Sequence, residues 1–421
     1  MSERQTMQGA VWLPSRRALL WLLVGVLCVG AVLRLLDVGN PVRSPDEWNY
    51  ARQARLIGNL GHAAFPVMMA EFREDNGLPP PTRAGFLYLL AGVMKASGRS
   101  DEMVGSWVSC LASIASLLLL ARIGWRFFGP VVAVIALTFY ASSALPLTTG
   151  HKGWQDATVE LLTLGLMLIA AEIVSGARHW LWSLAFTLTG AACLTMKEVP
   201  AAVFGLLSVC VVWSLLHRQS GRRQLEIFLG LWVGSVAVTL GWLTYLLGNA
   251  RSLLEYPRLT AVFLGGSEYS RVFESGTMLD LLHGFWIISP LALVCFPLGL
   301  VALAGPLDGL SGATDNRTIA IGFAGVALFF VGAAVITPHH LNFRYICPAF
   351  GPLYLVGGLG CWWVVAGIAT RLRSVEQPYL LGGVALLVVV SAISDYTVFQ
   401  RRFLAPGLKD LSIKMVLSNG R

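Results

Sequence analysis

Two adjacent carboxylates, Asp46 and Glu47, follow the first long apolar run of the chain in the stretch SPDEWNYARQARLI. They come about ten residues after that run, which places them near headgroup depth if the run crosses a bilayer. A carboxylate at that depth is partly removed from water and can take a proton from a reacting hydroxyl group. The stretch therefore predicts a catalytic pair, with Asp46 as the first candidate base and Glu47 as the second.

The same stretch also has a structural interpretation. Ser44 can cap a helix with Pro45 at its first position, and Glu47 can reach back to complete a capping box. Such a helix would be amphipathic, as is typical of helices on a membrane surface. Its apolar face comprises Tyr50, Ala54, Ile57 and Leu60, and its basic face comprises Arg52 and Arg55. The two interpretations are compatible, because the cap would fix the orientation of Asp46.

Cations accompany the carboxylates in the next part of the chain. The stretch EFREDNGLPPPTRAGF contains Arg73 and Arg83, which could hold a phosphate group at the same depth. We predict both as phosphate ligands.

Elements that position these residues follow from the composition. The chain of 421 residues is 56% hydrophobic and 13% charged, with a mean hydropathy of +0.67. Apolar runs of about 20 residues match the thickness of a bilayer. We predict an all-α polytopic membrane protein of about eleven spans, at residues 17–36, 103–121, 130–147, 156–174, 180–195, 199–216, 226–247, 285–304, 318–336, 346–369 and 379–395.

Basic residues in the short loops predict the orientation. One side, which we predict to be cytoplasmic, carries Arg16, Arg17, Arg122, Arg126, Arg178, Arg218, Arg222, Arg223, Arg371 and Arg373. The tail does not follow this rule, because Arg401, Arg402, Lys409 and Lys414 fall on the outer side. The piece AGFLYLLAGVMKASG is short for a span, so we predict a re-entrant or interfacial helix; if it spans, every later assignment reverses.

The predicted organisation is a single transmembrane domain over residues 1–395 and a short tail at 396–421. Residues 37–102 form the outer catalytic loop with its interfacial helices, and residues 248–284 form a second large outer loop. In that loop Tyr256, Glu268, Tyr269 and Glu274 are candidate contacts to an acceptor, although an ordinary surface loop would look the same.

Two classes of function are disfavoured. The net charge of +8 comes from arginines dispersed at the ends of spans, which serve orientation rather than nucleic-acid binding. The seven cysteines lie in apolar segments without the spacing of a disulfide framework or zinc site. The pair His339 and His340 lacks an obvious third ligand, so no metal site is predicted.

Several motifs, taken in order, resemble those of the GT-C membrane glycosyltransferases, the superfamily of protein O-mannosyltransferases and lipid A aminoarabinose transferases. The likeness covers roughly residues 17–370 and comprises SPDEWNYARQARLI, LPPPTRAGFLYLLAGVMKASGRS, ARIGWRFFGP, GHKGWQDATVELLTL, LTMKEVPA and FRYICPAFGPLYLVGGLG. Many relatives have a lysine directly before the Pro-Pro pair, whereas Leu78 precedes Pro79 here, so Arg73 or Arg83 would substitute. The tail is also shorter than the outer domain of several relatives, which would leave acceptor recognition to the loops.

The resemblance implies a GT-C fold and an inverting transfer from a polyprenyl-phosphate-linked sugar to a hydroxyl group, or an amine, of a lipid, glycan or protein acceptor. Asp46, or else Glu47, would be the single base, and no metal or other cofactor is required. The implied donor-phosphate ligands are Arg344, Arg83, Arg73 and Lys197, and possible substrate contacts are Tyr50, Lys152, Asp156, Tyr345, Tyr256 and Glu268. The implied location is a bacterial inner membrane, in contact with membrane lipids, with the catalytic loops on the outer face.

Local structural interpretations remain open for three of these cations. Arg344 could be an interfacial arginine beside Tyr345. Lys197 could be neutralised by Glu198, and Lys152 could pair with Asp156 at the start of a helix.

A transporter or lipid flippase is the alternative from another class. Transporters tend to place charged groups near the midplane of the bilayer, on broken helices in matching halves. This chain keeps its ionisable residues at the outer rim and its halves do not match, which favours the transferase.

Overall fold

The computed structural model of the chain describes residues 14–39, 44–74, 81–177, 179–218, 222–255, 258, 268–305, 313–337, 341–372, 376–404 and 408–418. Within these ranges the structure is all-α, and the single β-type contact is an isolated antiparallel bridge between Asn342 and Ser412. The predicted fold class is thus confirmed.

The described part of the first half of the chain contains eleven helices: α1 Arg16–Leu35, α2 Pro45–Leu60, α3 Ala64–Glu74, α4 Ala84–Ser97, α5 Met103–Ile123, α6 Pro130–Ser142, α7 Ala144–His151, α8 Asp156–Val174, α9 Trp180–Met196, α10 Glu198–Leu216 and α11 Arg222–Leu246. The described part of the second half adds α12 Glu268–Phe273, α13 Met278–Ile288, α14 Pro290–Ala304, α15 Ala313–Ile336, α16 Phe350–Ala369, α17 Gln377–Val398 and α18 Ile413–Ser418. A 3₁₀ segment, Phe343–Ala349, leads directly into α16.

Within the described ranges, eight helices are long and apolar enough to cross a membrane, and up to ten if each of two bent pairs counts as one span. Helix α9, predicted as a span, is apolar but has only 17 residues. Helix α4 has 14 residues and is as short as expected from its sequence; its re-entrant or interfacial placement stays a prediction. The chain is an integral membrane protein.

Two predicted spans are broken. The span predicted at 130–147 consists of α6 and α7, with a bend of 54°. The prediction of one span at 285–304 is wrong at its start, because α13 and α14 meet at 117°. Ser289 leaves the helical conformation there, and Pro290 starts the new helix because its fixed φ and missing N–H suit a first helical position.

Helix α16 is the central element of the bundle. It packs so closely against α14 that a Cβ atom on Gly360 would lie 2.1 Å from the carbonyl oxygen of Cys295, and one on Gly299 equally close to that of Val356. Only glycine permits this approach. The packing fixes α16, and therefore also the Phe343–Ala349 segment at its start.

Helices α2, α3 and α4 form an apolar cluster together with parts of α5 and α11, and this cluster includes Tyr50, Ile57, Phe65 and Phe86. Arg52 and Arg55 lie on the exposed side of α2, as its amphipathic pattern predicts. Leu60, predicted on the apolar face, is instead exposed at the end of the helix.

The tail returns to the bundle. Helix α17 continues through a π-helical turn, Phe399–Leu404, and the segment 408–418 then packs back with Leu408, Leu411, Ile413 and Val416 buried. The tail is therefore joined to the core by apolar contacts.

Candidate active site

The two carboxylates at the start of α2 have different surroundings. The predicted capping box is present: Glu47 Oε2 accepts a hydrogen bond from the backbone N–H of Ser44 at 2.7 Å. Glu47 Oε1 accepts another from the backbone N–H of Gly153 at 2.8 Å, and the side chain is buried. Asp46 has 35% of its side chain exposed. Glu47 thus fastens the start of α2 to the loop before α8, and Asp46 projects from that fixed backbone.

Asp46 contacts a buried arginine from the far end of the sequence. Its Oδ2 atom accepts a hydrogen bond from Arg344 Nη1 at 2.8 Å. Asp46 Oδ1 has no hydrogen-bond partner among the described residues. The carboxylate is therefore held at one oxygen, and the other can accept a proton.

Arg344 is the centre of the site. Its Nε donates to Asp156 Oδ2 at 2.9 Å, and its Nη1 also lies 3.4 Å from Asp410 Oδ1. The guanidinium group lies over the ring of Trp154, 4.1 Å from its centroid. Within the described part of the chain Nη2 makes no hydrogen bond. Carboxylates thus accept the hydrogen bonds of Nε and Nη1, and Nη2 can bind an anion.

Lys197 joins the site through Asp156. Its Nζ lies 2.6 Å from Asp156 Oδ1, and both side chains are almost fully buried. Lys197 also lies over the ring of Tyr345, 5.3 Å from its centroid. Two predicted local ion pairs are therefore wrong. Asp156 pairs with Lys197 and Arg344 rather than with Lys152, and Lys197 is neutralised by Asp156 rather than by Glu198.

Arg83 and Tyr50 lie beside this group. Arg83 Nη1 donates to the Tyr50 hydroxyl oxygen at 2.6 Å, and its Nη2 lies 3.4 Å from Glu198 Oε2. Burial raises the pKa of Tyr50 to about 12, against the opposing effect of Arg83. Tyr50 is therefore neutral, and Arg83 retains its charge at the rim of the site.

The segment after α12 and the tail form the other wall. Asn342 Nδ2 donates to Glu274 Oε1 at 2.8 Å and to Asp410 Oδ2 at 2.9 Å. The Tyr269 hydroxyl group also donates to Asp410 Oδ2, at 2.7 Å. Burial raises the pKa of Glu274 to about 7, an effect that the Asn342 hydrogen bond opposes.

Lys152 lies beside the site, because its Nζ is 4.8 Å from the centroid of the Trp154 ring that also contacts Arg344; the other predicted residues have different surroundings. Lys152 is buried, and its Nζ donates to the carbonyl oxygens of Leu408 at 2.7 Å and Lys409 at 3.0 Å. Arg73 contacts Ser252 and Glu255. Glu268 is exposed at the start of α12. Tyr256, His339, His340, Leu78 and Pro79 lie outside the described residues.

Sequence reasoning missed Asp410 and Asn342. A signal for Asp410 was present, because apolar residues on both sides of it in LKDLSIKMV require burial. Asn342 precedes Arg344, and its side-chain oxygen accepts the hydrogen bond of the Arg344 backbone N–H at 3.0 Å. It is thus the cap of the 3₁₀ segment that carries the arginine.

The charges at the centre nearly balance. Asp46, Asp156 and Asp410 carry three negative charges, against two positive charges on Arg344 and Lys197. Among the described residues, no group of three or more His, Cys, Asp or Glu side chains could hold a metal ion. The arrangement combines one partly exposed carboxylate with buried cations, which suits proton abstraction beside an anionic group.

These features define a polytopic helical membrane protein with a buried charged site where several helices begin. No family model and no curated protein sequence matches the chain. Solved structures do resemble it. ArnT from Cupriavidus metallidurans in the apo state matches with a TM-score of 0.60 and 17% identity, over 96% of this chain and 78% of ArnT. The same protein bound to undecaprenyl phosphate matches with a TM-score of 0.59.

The archaeal oligosaccharyltransferase AglB from Archaeoglobus fulgidus is also similar. Its complex with an inhibitory peptide and a dolichol-phosphate matches with a TM-score of 0.55 and 14% identity, over 91% of this chain and 55% of AglB. This chain thus spans about half the length of AglB. The chain has the GT-C fold of these proteins, as the sequence motifs predicted.

Proposed function

We propose that this protein is an inverting glycosyltransferase that uses a polyprenyl-phosphate-linked sugar as its donor. The acceptor is a hydroxyl group, or an amine, of a lipid, glycan or protein. The observation that carries the proposal is the contact of Asp46, partly exposed, with Arg344, which is buried among carboxylates and keeps Nη2 for an anion. The GT-C fold supports it, since similar structures contain undecaprenyl phosphate or a dolichol-phosphate.

The proposed step is a single displacement. Asp46 Oδ1 takes the proton of the acceptor hydroxyl group while the oxygen of that hydroxyl group attacks the anomeric carbon of the sugar. The bond from that carbon to the phosphate oxygen breaks on the opposite face, so the configuration inverts. The polyprenyl phosphate leaves with the bonding electrons. A new glycosidic bond and a protonated Asp46 result, and water later removes the proton.

Cationic side chains stabilise the charge that develops on the leaving phosphate. We assign Arg344 Nη2 and Arg83 to this role, because both side chains are fixed by contacts and retain some exposure. Lys197 acts through its charge, since its Nζ is bound to Asp156. Arg73 remains a predicted ligand, with Glu255 as its present partner. The proposed mechanism uses these cations rather than a metal.

The site faces the outer surface in this proposal. Arg126 binds Glu172 near the other end of α8, and Arg218 donates to the Ile173 carbonyl oxygen there. Asp156 and Glu172 are 16 residues apart, so the site and this basic end are separated by about 24 Å along the helix. Arginines favour the cytoplasmic side. We therefore place the N-terminus in the cytoplasm and the site at the outer face of a bacterial inner membrane.

A donor panel tests the proposal. The purified protein in lipid nanodiscs is incubated with polyprenyl phosphates carrying different radiolabelled sugars, together with membrane lipid extracts and denatured envelope proteins as acceptors. We expect one donor to be consumed, with formation of free polyprenyl phosphate and a labelled acceptor of inverted configuration. Binding of undecaprenyl phosphate is measured in parallel. Failure to bind it and to consume any donor would overturn the proposal and favour the transporter alternative.

A further inference from the structure

The tail segment 408–418 is attached to the site by polar contacts as well as by its buried apolar residues. Lys152 Nζ binds two consecutive tail carbonyl oxygens, at Leu408 and Lys409. Backbone hydrogen bonds run from Phe343 to the Leu411 carbonyl oxygen at 3.1 Å and from Ile413 to that of Leu341 at 2.8 Å. Both bonds join the residues just before Arg344 to the residues just after Asp410. They therefore fix the positions of Arg344 and Asp410 relative to each other.

The Asp410 carboxylate is oriented by three groups. Its Oδ2 accepts hydrogen bonds from Tyr269 at 2.7 Å and Asn342 at 2.9 Å, and its Oδ1 faces Arg344 Nη1 at 3.4 Å. Arg344 Nη1 also donates to Asp46 at 2.8 Å. One guanidinium nitrogen is therefore held by carboxylates from two distant parts of the chain.

We propose that Asp410 is a positioning residue of the transfer site, which together with Asp46 fixes Arg344 Nη1 and leaves Nη2 to bind the donor phosphate. This inference rests on the function proposed above. Asp410 acts through Arg344 and takes no part in bond making. Its negative charge weakens binding of the donor phosphate in the ground state, while the geometry that it imposes on Arg344 accelerates the reaction.

This role gives a signature that loss of a structural contact does not give. In Asp410→Asn the side chain keeps its size, but one negative charge near the phosphate site is removed. We expect donor affinity to rise about threefold, because a negative charge that repels the phosphate is removed. We expect kcat to fall about tenfold, because Arg344 is less well oriented.

The experiment uses the full chain in nanodiscs. Affinity is measured by equilibrium binding of radiolabelled undecaprenyl phosphate, and kcat and donor KM are measured with the donor found in the panel. Asp410→Glu, which restores the charge, should return the affinity toward the wild-type value. Tyr269→Phe, which removes one bond to Asp410 but no charge, should lower kcat less and leave affinity unchanged. Lys414→Ala, an exposed tail residue paired with Asp280, is the control.

Two results would overturn the inference alone. In the first, wild type is active and Asp410→Asn has the same affinity and kcat. In the second, Asp410→Asn binds undecaprenyl phosphate more weakly and melts at a lower temperature, which indicates a tail that serves stability only. If the wild-type protein neither binds undecaprenyl phosphate nor consumes a donor, the proposed function fails, and the role of Asp410 fails with it.

Discussion

The protein places arginine–carboxylate contacts at both ends of α8, and the two sets differ in burial. At the start of the helix Arg344 has 11% of its side chain exposed, and the Asp156 side chain is fully buried. Near its end Arg122 and Arg126 are 59% and 50% exposed, and both lie more than 3.4 Å from Glu172. The arginine is thus buried and in close contact at the start of α8, whereas near its end the arginines are exposed and lie farther from Glu172, which is itself 12% exposed.

The difference in burial implies a difference in use. Exposed ion pairs contribute little to stability and suit the orientation of the chain in the bilayer. Buried pairs cost desolvation, and breaking one leaves an uncompensated charge. Five charged side chains meet at one end of this protein, and they come from α2, α8, the α9–α10 turn, the segment before α16 and the tail. Such a costly cluster is typical of a binding or catalytic site.

The largest expected effect is at Arg344. Arg344→Ala removes the positive charge that neutralises Asp46, Asp156 and Asp410. We expect the free energy of unfolding to fall by about 3–5 kcal/mol, and we expect transfer activity to be lost. Arg344→Lys keeps the charge but loses the planar fork, and should fold while losing about a hundredfold in kcat. Arg126→Ala, at the other end, should change stability by less than about 0.5 kcal/mol. Thermal melting in detergent and the donor assay measure these effects. Equal melting temperatures for Arg344→Ala and Arg126→Ala would contradict the comparison.

Glu47→Gln should have an intermediate effect. Both oxygens of Glu47 accept backbone N–H groups, and a glutamine amide can accept only one of them. We expect a loss of about 1–2 kcal/mol in stability and a fall of up to about tenfold in kcat as Asp46 shifts. Glu71→Gln, in the exposed pair with Arg52, is the matched control. A loss of activity as complete as that from removing Asp46 would instead make Glu47 the base.

The smallest expected effect is a pH dependence of stability. Burial raises the pKa of Glu274 to about 7, from an ordinary value of 4.5. Between these values the folded protein holds a proton that the unfolded chain has lost. The contribution of protonated Glu274 to the free energy of unfolding is therefore fully present below about pH 4.5 and is lost as the pH rises through about 7.

Melting temperatures from pH 5 to 8 check this effect. The decrease with pH should be smaller in Glu274→Gln than in wild type. Glu268→Gln, which changes an exposed carboxylate close by, should keep the wild-type decrease. An unchanged decrease in Glu274→Gln would show that Glu274 is not the titrating group.

Most spans and several residues of the charged cluster could be singled out from the sequence because each has a local signal. Long apolar runs require burial in lipid, and Asp46 and Arg344 follow or precede such runs at the rim. The sequence did not show which of these charged residues form ion pairs with one another. Lys197 binds Asp156 rather than its neighbour Glu198, because helix packing rather than sequence distance decides which charges meet. The bend at Ser289 had a local signal in Pro290, which the apolar run obscured.

The contacts of the tail with the site could not be predicted from the sequence either. Asp410 is 66 residues from Arg344 in the sequence, and only the return of the chain after α17 brings them together. Lys152 was predicted as a possible substrate contact because its motif resembles that of the GT-C enzymes, and its hydrogen bonds to tail carbonyl oxygens depend on that same return.

The most direct test of the proposed function compares Asp46→Asn with wild type in the donor assay. The variant keeps the size of the side chain and an oxygen that can face Arg344, but it cannot take a proton. We predict that it folds, binds undecaprenyl phosphate at least as well as wild type, and loses about 10²–10⁴-fold in kcat. Transfer at the wild-type rate by a folded Asp46→Asn protein would contradict the account.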